Sequence, residues 1–224
     1  MPAYQLGTSI RNSILRVASV LEGMPGSEII VVDDGSTDDT YAQAASAGVA
    51  LVLRHEVNMG KGAASRTGAM AATTPTVVFL DGDLDLPPEQ LPDIVDTFLQ
   101  GDLDVLVGTK RYGMSGGRYP LKRRFLSAVF RVVTRVLFRL HVSETQTGLK
   151  VLRRGFAQSI MPDLEVTRYA FDLELLVRAQ RLGAKIGEIP VALRVGASSS
   201  PLSMSTLWEM ARDTLHILLW SLRR

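Results

Sequence analysis

The feature that most constrains the fold is a short run, Thr76-Val77-Val78-Phe79-Leu80, that ends directly in Asp81-Gly82-Asp83-Leu84-Asp85. An apolar, β-branched run without polar alternation reads as a strand buried on both faces, as in α/β sheets covered by helices. Open sheets of that class bind ligands beyond the carboxyl ends of their strands, where these three alternate carboxylates stand. Asp81, Asp83 and Asp85 repel one another unless a cation sits among them, and their hard oxygens suit Mg²⁺ or Mn²⁺ holding a diphosphate. An Asp-Gly turn leading to a helix start at Pro87-Pro88-Glu89 accounts for the same residues without a ligand, so this stretch alone leaves both readings open.

A second strand ends in the same way, with Glu28-Ile29-Ile30-Val31-Val32 running into Asp33-Asp34-Gly35-Ser36-Thr37-Asp38. Paired carboxylates there can accept the N–H of a nucleobase or the hydroxyls of a ribose, and Gly35 allows close backbone approach. For Ser36, Thr37 and Asp38 the favoured role is capping the helix that follows. Asn58-Met59-Gly60-Lys61-Gly62 then opens a small-residue helix with a lysine able to neutralise phosphate. It is not a P-loop, because no glycine stands five residues before the Gly-Lys pair and no Ser or Thr follows the lysine.

Along the chain, helices are expected over 6–22, 38–47, 60–72, 88–100, 121–140, 170–182 and 203–222, and strands over 28–33, 50–54, 76–81, 104–109, 149–153 and 186–194. This alternation argues a mostly parallel sheet with helices on both faces. The 224 residues, 46% of them apolar, suffice for one domain over 1–224, without repeat or linker; Ala197-Ser198-Ser199-Ser200-Pro201 reads as a loop before the last helix. The lack of cysteine excludes disulfides and thiolate metal sites. His55, His141 and His216 lack metal-ligand spacing, and no Ser-His-Asp order suggests a hydrolase. No segment reaches the roughly 20 apolar residues of a spanning helix and no secretory signal opens the chain, so a cytoplasmic protein, soluble or peripheral on a membrane, is expected.

Net charge is only +2, but Lys110, Arg111, Arg118, Lys122, Arg123, Arg124, Arg131, Arg135 and Arg139 share one stretch without an acid. The predicted helix over 121–140 sets Arg131, Arg135 and Arg139 four apart beside Phe, Leu and Val, and the helix near 203–222 carries the stripe Leu207, Ala211, Leu215, Leu218 and Leu222. Basic amphipathic helices suit an anionic membrane surface or a lipid phosphate; packing on the core or on a second subunit, as in a homo-oligomer, is the alternative. The stretch lacks interleaved aromatics, which argues against nucleic acid.

Taken in order, Pro2-Ala3-Tyr4, Val31-Val32-Asp33-Asp34-Gly35-Ser36, Asn58-Met59-Gly60-Lys61-Gly62, Asp81-Gly82-Asp83, Gly108-Thr109-Lys110-Arg111, Thr145-Gln146-Thr147-Gly148-Leu149-Lys150 and Phe171-Asp172-Leu173-Glu174-Leu175-Leu176 resemble the family 2 glycosyltransferases of the GT-A fold. Within that family the pattern is most similar to dolichyl-phosphate and polyprenyl-phosphate sugar synthases, above all dolichyl-phosphate β-glucosyltransferases. The resemblance implies a Rossmann-like α/β fold and inverting transfer of a hexose from a nucleotide-sugar, UDP-glucose before GDP-mannose, to polyprenyl or dolichyl phosphate. It implies a nucleotide site at Pro2, Ala3, Tyr4, Asp33, Asp34, Gly35 and Lys61, with Asp81, Gly82 and Asp83 at the diphosphate. Asp81, Asp83 and Asp85 would hold Mg²⁺ or Mn²⁺. Arg111 and Arg124 would bind the acceptor phosphate with help from Arg118, Lys122 and Gln146, so that Asp81, Asp83, Arg111 and Arg124 form the catalytic set.

The chain also departs from the family pattern. Relatives carry an apolar strand running into Pro-Ala-Tyr-Asn-Glu, whereas this chain opens Met1-Pro2-Ala3-Tyr4-Gln5-Leu6. The first central strand is therefore expected to be absent, with either the true start upstream or another segment in its slot. Glu144 stands for a usual Asp, and Ser199 or Ser200 for a frequent lysine. Two other classes are considered: a catalytically silent nucleotide-binding homologue, against which Asp81, Asp83 and the arginines speak, and a nucleotidyltransferase, which would need a glycine-rich N-terminal loop.

Overall fold

A computed structural model describes residues 1–110, 132–140, 142–192 and 204–222. Its strands are β1 (Pro2–Ala3), β2 (Ile30–Asp33), β3 (Leu51–Arg54), β4 (Thr76–Phe79), β5 (Val105–Lys110), β6 (Lys150–Arg153) and β7 (Ile186–Val191). The helices are α1 (Ile10–Leu21), α2 (Thr40–Ser46), α3 (Lys61–Ala71), α4 (Leu91–Gln100), α5 (132–138), α6 (Arg154–Ile160), α7 (Phe171–Arg181) and α8 (Met204–Leu222).

Two sheets form, one of order β1-β2-β3 and one of order β4-β6-β5-β7. The first is parallel throughout and β5 pairs parallel with β7, but β6 runs antiparallel to both its neighbours. The expected mostly parallel sheet is therefore a mixed one.

The apolar runs without polar alternation are explained by burial on both faces. In β5, Val105 and Val107 pack into one cluster with α3, α6 and α7, while Leu106 packs into the other with α1, α2 and α4. β6 divides likewise, Leu152 on one side and Val151 on the other, following the two-residue period of a strand. Ile10, Ile14 and Val17 of α1 repeat at helical spacing and are all buried. Each such side chain contributes about 1.5–3 kcal/mol by leaving water.

The first strand, expected to be absent, is a two-residue stub: Pro2 pairs with Val32 and Ala3 with Asp33. The stub still directs Tyr4 and the following turn to the carboxyl end of β2. Helix α6 was not expected, since Gly155 lies inside it and no side chain caps it; full burial of Ala157 and Ile160 holds it in place. Only 132–138 of the helix expected over 121–140 falls among the described residues, and it stops before Arg139, whose φ is 51°. The strand expected to reach 194 ends at Val191.

Candidate active site

Asp33 and Asp34 end β2, yet they do different things. Asp34 bonds the loop that follows: Oδ1 accepts from His55 Nδ1 (2.7 Å) and Met59 N–H (3.0 Å), and Oδ2 from Gly60 N–H (2.7 Å). His55 Nε2 in turn meets Thr67 Oγ1 of α3 at 2.9 Å. Asp34 thus anchors the 58–60 loop. Asp33 is fully buried and spends Oδ1 on Ser36 N–H (3.2 Å). Its Oδ2 accepts no hydrogen bond, although Arg54 Nε lies 3.2 Å away as a charge partner. A buried carboxylate oxygen in that state suits an incoming N–H or hydroxyl.

The loop after Asp33 is tied to the first turn of the chain. Ser36 Oγ accepts Gln5 N–H (3.0 Å), Thr40 Oγ1 accepts Leu6 N–H (2.7 Å), and Asp38 Oδ2 accepts Gly7 N–H (2.9 Å). Asp38 Oδ1 also takes Thr40 N–H at the start of α2, so of the three candidate capping residues it is Asp38 that serves the helix end. A β-carbon on Gly35, whose φ is +69°, would collide with the Val57–Asn58 peptide, which makes glycine obligatory there.

Asp81 follows β4, and Lys61 Nζ lies 2.7 Å from its Oδ1 and 2.9 Å from its Oδ2. Burial opposes the ammonium, but Asp81, Asp172 and Asp83 around it hold the Lys61 pKa above its ordinary value. Two amides at the start of α3 are already engaged: Gly62 and Ala63 N–H both donate to Thr167 O. The Lys61 side chain is the positive charge at this helix start that could neutralise phosphate. Burial, then Asp81 and Asp85 beside it, push the Asp83 carboxyl above the usual carboxylate range. A hard dication would relieve that repulsion, so the donor chemistry fits Mg²⁺ or Mn²⁺. Among the described residues no group of three or more acids or histidines converges as a preformed cage. A site of one or two carboxylates completed by substrate phosphates is the usual form for Mg²⁺.

Residues to which the sequence reading gave no role support this centre. Gly148 packs so tightly on Asp81 that a β-carbon there would overlap the carboxylate. Lys150, almost fully buried, bonds Thr147 O and Asp172 Oδ1, both at 2.8 Å; burial lowers its pKa despite Asp172. Glu174 is buried in α7, where it accepts from Glu165 and Val166 N–H and from Arg178 Nε. That grip holds the segment whose Thr167 carbonyl caps α3. Gly148, Lys150, Asp172 and Glu174 lie in the Thr-Gln-x-Gly-x-Lys and Phe-Asp-x-Glu motifs, which were legible as motifs but not as mechanics.

Pro2 and Ala3 lie in β1 and Tyr4 is exposed just beyond it. Gly82 N–H reaches Pro2 O at 3.3 Å, joining the Asp81–Asp83 loop to the stub. Gln146 Nε2 lies 3.5 Å from Tyr169 O. Arg111, Arg118, Lys122 and Arg124 lie outside the described residues, as do Ser199 and Ser200.

The sequence model for "Glycosyl transferase family 2" matches residues 1–161. A dolichyl-phosphate beta-glucosyltransferase of Trichomonas vaginalis is 31% identical over 207 residues, covering 86% of this chain and 62% of the relative. Another of that name from Dictyostelium discoideum is 29% identical over 205 residues, with coverages of 85% and 62%. Glycosyltransferase AglD of Haloferax volcanii is 29% identical over 198 residues, covering 85% of this chain and 32% of the relative. The chain therefore spans less than two thirds of the length of these relatives. Among solved structures, glucosyl-3-phosphoglycerate synthase of Mycobacterium tuberculosis superimposes with a TM-score of 0.75 at 26% identity, over 98% of this chain and 78% of that one. The same synthase in complex with Mn²⁺, UDP-glucose and phosphoglyceric acid gives a TM-score of 0.74, also at 26% identity, over 98% and 77%.

Proposed function

The chain belongs to glycosyl transferase family 2, and from that membership we propose that it is an inverting hexosyltransferase, one catalytic unit over 1–224, acting on a nucleotide-sugar and a polyprenyl or dolichyl phosphate. UDP-glucose is the favoured donor and GDP-mannose the second. The observation that carries this reading is a pairing at strand ends: a buried carboxylate oxygen without a hydrogen bond on Asp33 after β2, and a lysine-clasped carboxylate on Asp81 after β4. Asp33 Oδ2 takes the N–H of the base or a ribose hydroxyl. Pro2, Ala3, Tyr4 and Gly35 lie beside Asp33 and complete the nucleotide site with Asp34, which also keeps the 58–60 loop in shape.

Asp81 and Asp83, with Asp85 beside them, are the residues that would hold a divalent ion at the diphosphate end, where Lys61 neutralises charge. A bound Mg²⁺ or Mn²⁺ would act there as a Lewis acid on the departing diphosphate. In the transfer, a non-bridging oxygen of the acceptor phosphate bonds to the anomeric carbon from the face opposite the diphosphate. The bond from that carbon to the diphosphate oxygen breaks, its electron pair leaves with the nucleoside diphosphate, and the anomeric configuration inverts. A phosphate monoester is already ionised near neutrality, with a second pKa of about 6, so no general base is required. Arg111 and Arg124, assisted by Arg118, Lys122 and Gln146, hold the acceptor phosphate.

The acceptor is met at a membrane, on its cytoplasmic face. Helix α8 buries Met210, Thr214, Ile217 and Ser221 and exposes Trp208, Ala211, Leu215, Leu219 and Leu222, an outward apolar stripe at helical spacing. Helix α5 exposes Val132, Val133 and Val136 beside Arg135. No helix among the described residues is long and apolar enough to cross a membrane, so these faces serve surface binding. Nucleotide binding tests the donor half. Asp33→Asn keeps the size but loses the charge and half the acceptor capacity, and should weaken UDP affinity about tenfold or more with little change in thermal midpoint. Unchanged affinity would remove Asp33 from the site.

A further inference from the structure

The carboxyl end of β4 and the starts of α3 and α7 meet at one aromatic contact. Phe79 closes β4 and Phe171 opens α7, and their rings pack edge to face with centroids 6.5 Å apart. Gly62, near the start of α3, lies so close to Phe171 that a β-carbon there would overlap its side chain. The residues beside these three carry charge: Asp81 just beyond Phe79, Lys61 before Gly62, and Asp172 after Phe171. Lys150 of β6 adds a fourth charge through its 2.8 Å ion pair with Asp172. Signs alternate along the row Lys150, Asp172, Lys61, Asp81.

The two lysines differ in freedom. The Lys150 side chain is 1% exposed, and Thr147 O and Asp172 Oδ1 both hold its ammonium, so it is a fixed charge. The Lys61 side chain is 40% exposed, and its four-carbon stem lets the ammonium reach more than one partner. That ammonium spans both oxygens of Asp81, at 2.7 and 2.9 Å. A divalent ion on either oxygen would sit against it, and like charges so close repel strongly in a partly buried site. Lys61 must therefore move aside when Asp81 takes a metal. Burial works against the Lys61 ammonium, yet Asp81, then Asp172, then Asp83 hold its pKa above the ordinary value. Asp83 belongs with the ion. Asp172 pairs with Lys150 through Oδ1, and its Oδ2 can accept a second ammonium.

We propose that Lys61 competes with the divalent ion for Asp81, and that Asp172 is the positioning residue that receives the Lys61 ammonium when the ion binds. The inference rests on the metal reading given above for Asp81 and Asp83. Lys150 fixes the Asp172 carboxylate for this exchange, and the transferred ammonium stays beside the diphosphate instead of leaving for solvent. The competition also keeps the ion weakly held until a diphosphate supplies further oxygens.

The test measures Mn²⁺ binding to the full chain, without nucleotide, by paramagnetic resonance of the free ion. The forms compared are the parent, Lys61→Met, Asp172→Asn and the double variant, each with its thermal midpoint. Lys61→Met should tighten Mn²⁺ binding about fivefold or more, because no ammonium has to be displaced. Asp172→Asn should weaken it about threefold or more in the parent and less than about twofold in Lys61→Met, since Asp172 acts through Lys61. Asp172→Asn also strands the buried Lys150, so Lys150→Met with Asp172→Asn, which removes both buried charges, is measured beside it and should show the same weakening. Unchanged or weaker binding by Lys61→Met overturns the competition and leaves the metal reading standing. Equal weakening by Asp172→Asn in both backgrounds overturns Asp172 as the receiver. Mn²⁺ binding by none of the forms overturns the metal reading together with the inference.

Discussion

At Gly148 there is no room for a β-carbon, because Asp81 occupies the space. Gly148→Ala must therefore move either the backbone or the Asp81 carboxylate, and displacing a ligand-binding group by about 1 Å can cost on the order of 100-fold in rate. The expected outcome is a loss of at least about tenfold in kcat/KM for sugar transfer with a thermal midpoint within a few degrees of the parent. Wild-type kinetics would show that Asp81 tolerates the shift. Asp81 was singled out in the sequence by the order of the motifs around it, since the apolar run and Asp-Gly-Asp alone fit a turn equally well. Its partner glycine was not, since steric contact between residues 67 positions apart leaves no local pattern. The Asp33-Asp34 pair shows the same limit: two adjacent acids read alike in sequence, but His55, Met59 and Gly60 bond only the second.

Among the elements, α8 carries the clearest unpartnered face. Its exposed stripe runs through Trp208, 74% exposed, to Leu222, 73% exposed. Helical spacing made an apolar stripe legible, but the stripe expected at Leu207, Ala211, Leu215, Leu218 and Leu222 is shifted. Leu218 packs against the core while Trp208 and Leu219 face out. The inward face is unusually polar, with Asp213, Thr214 and Ser221 buried, and hydropathy alone could not identify it as the packed side. Replacing Trp208, Leu215 and Leu219 together by Ser should reduce co-sedimentation with vesicles of anionic lipid about tenfold or more, and leave UDP binding unchanged. Unaltered sedimentation would remove α8 from the membrane surface. The short helix α6 escaped notice for a different reason: it is set by burial of Ala157 and Ile160 under long-range contacts, not by local propensity.

At the scale of the whole molecule, the order of strands and helices was legible because the central strands are apolar runs buried on both faces and helices such as α1 and α4 bury residues at helical spacing. The antiparallel insertion of β6 was not, since strand direction depends on the path of the chain between β5 and β6 and not on composition. The edge of the first sheet has a pH signature. The Met1 amine, ordinarily near 8.0, is lowered to about 5 in the folded protein. Between those values the unfolded chain binds a proton that the folded chain has released, so this group makes stability rise as pH increases from about 5 to 8. Chemical denaturation at pH 5.5 and 7.5 should show the higher midpoint at pH 7.5, with a smaller difference after Nα-acetylation. An equal difference after acetylation would clear the amine of the effect.

The proposed reaction is tested most directly by transfer of labelled glucose from UDP-glucose to polyprenyl phosphate in the presence of Mg²⁺ or Mn²⁺. GDP-mannose serves as the parallel donor and Asp83→Ala as the control. Expected is a labelled polyprenyl-phosphate sugar of inverted anomeric configuration from the parent chain, and none from Asp83→Ala. Equal product from Asp83→Ala, or nucleotide binding by the parent chain with no glycolipid from either donor, would contradict it.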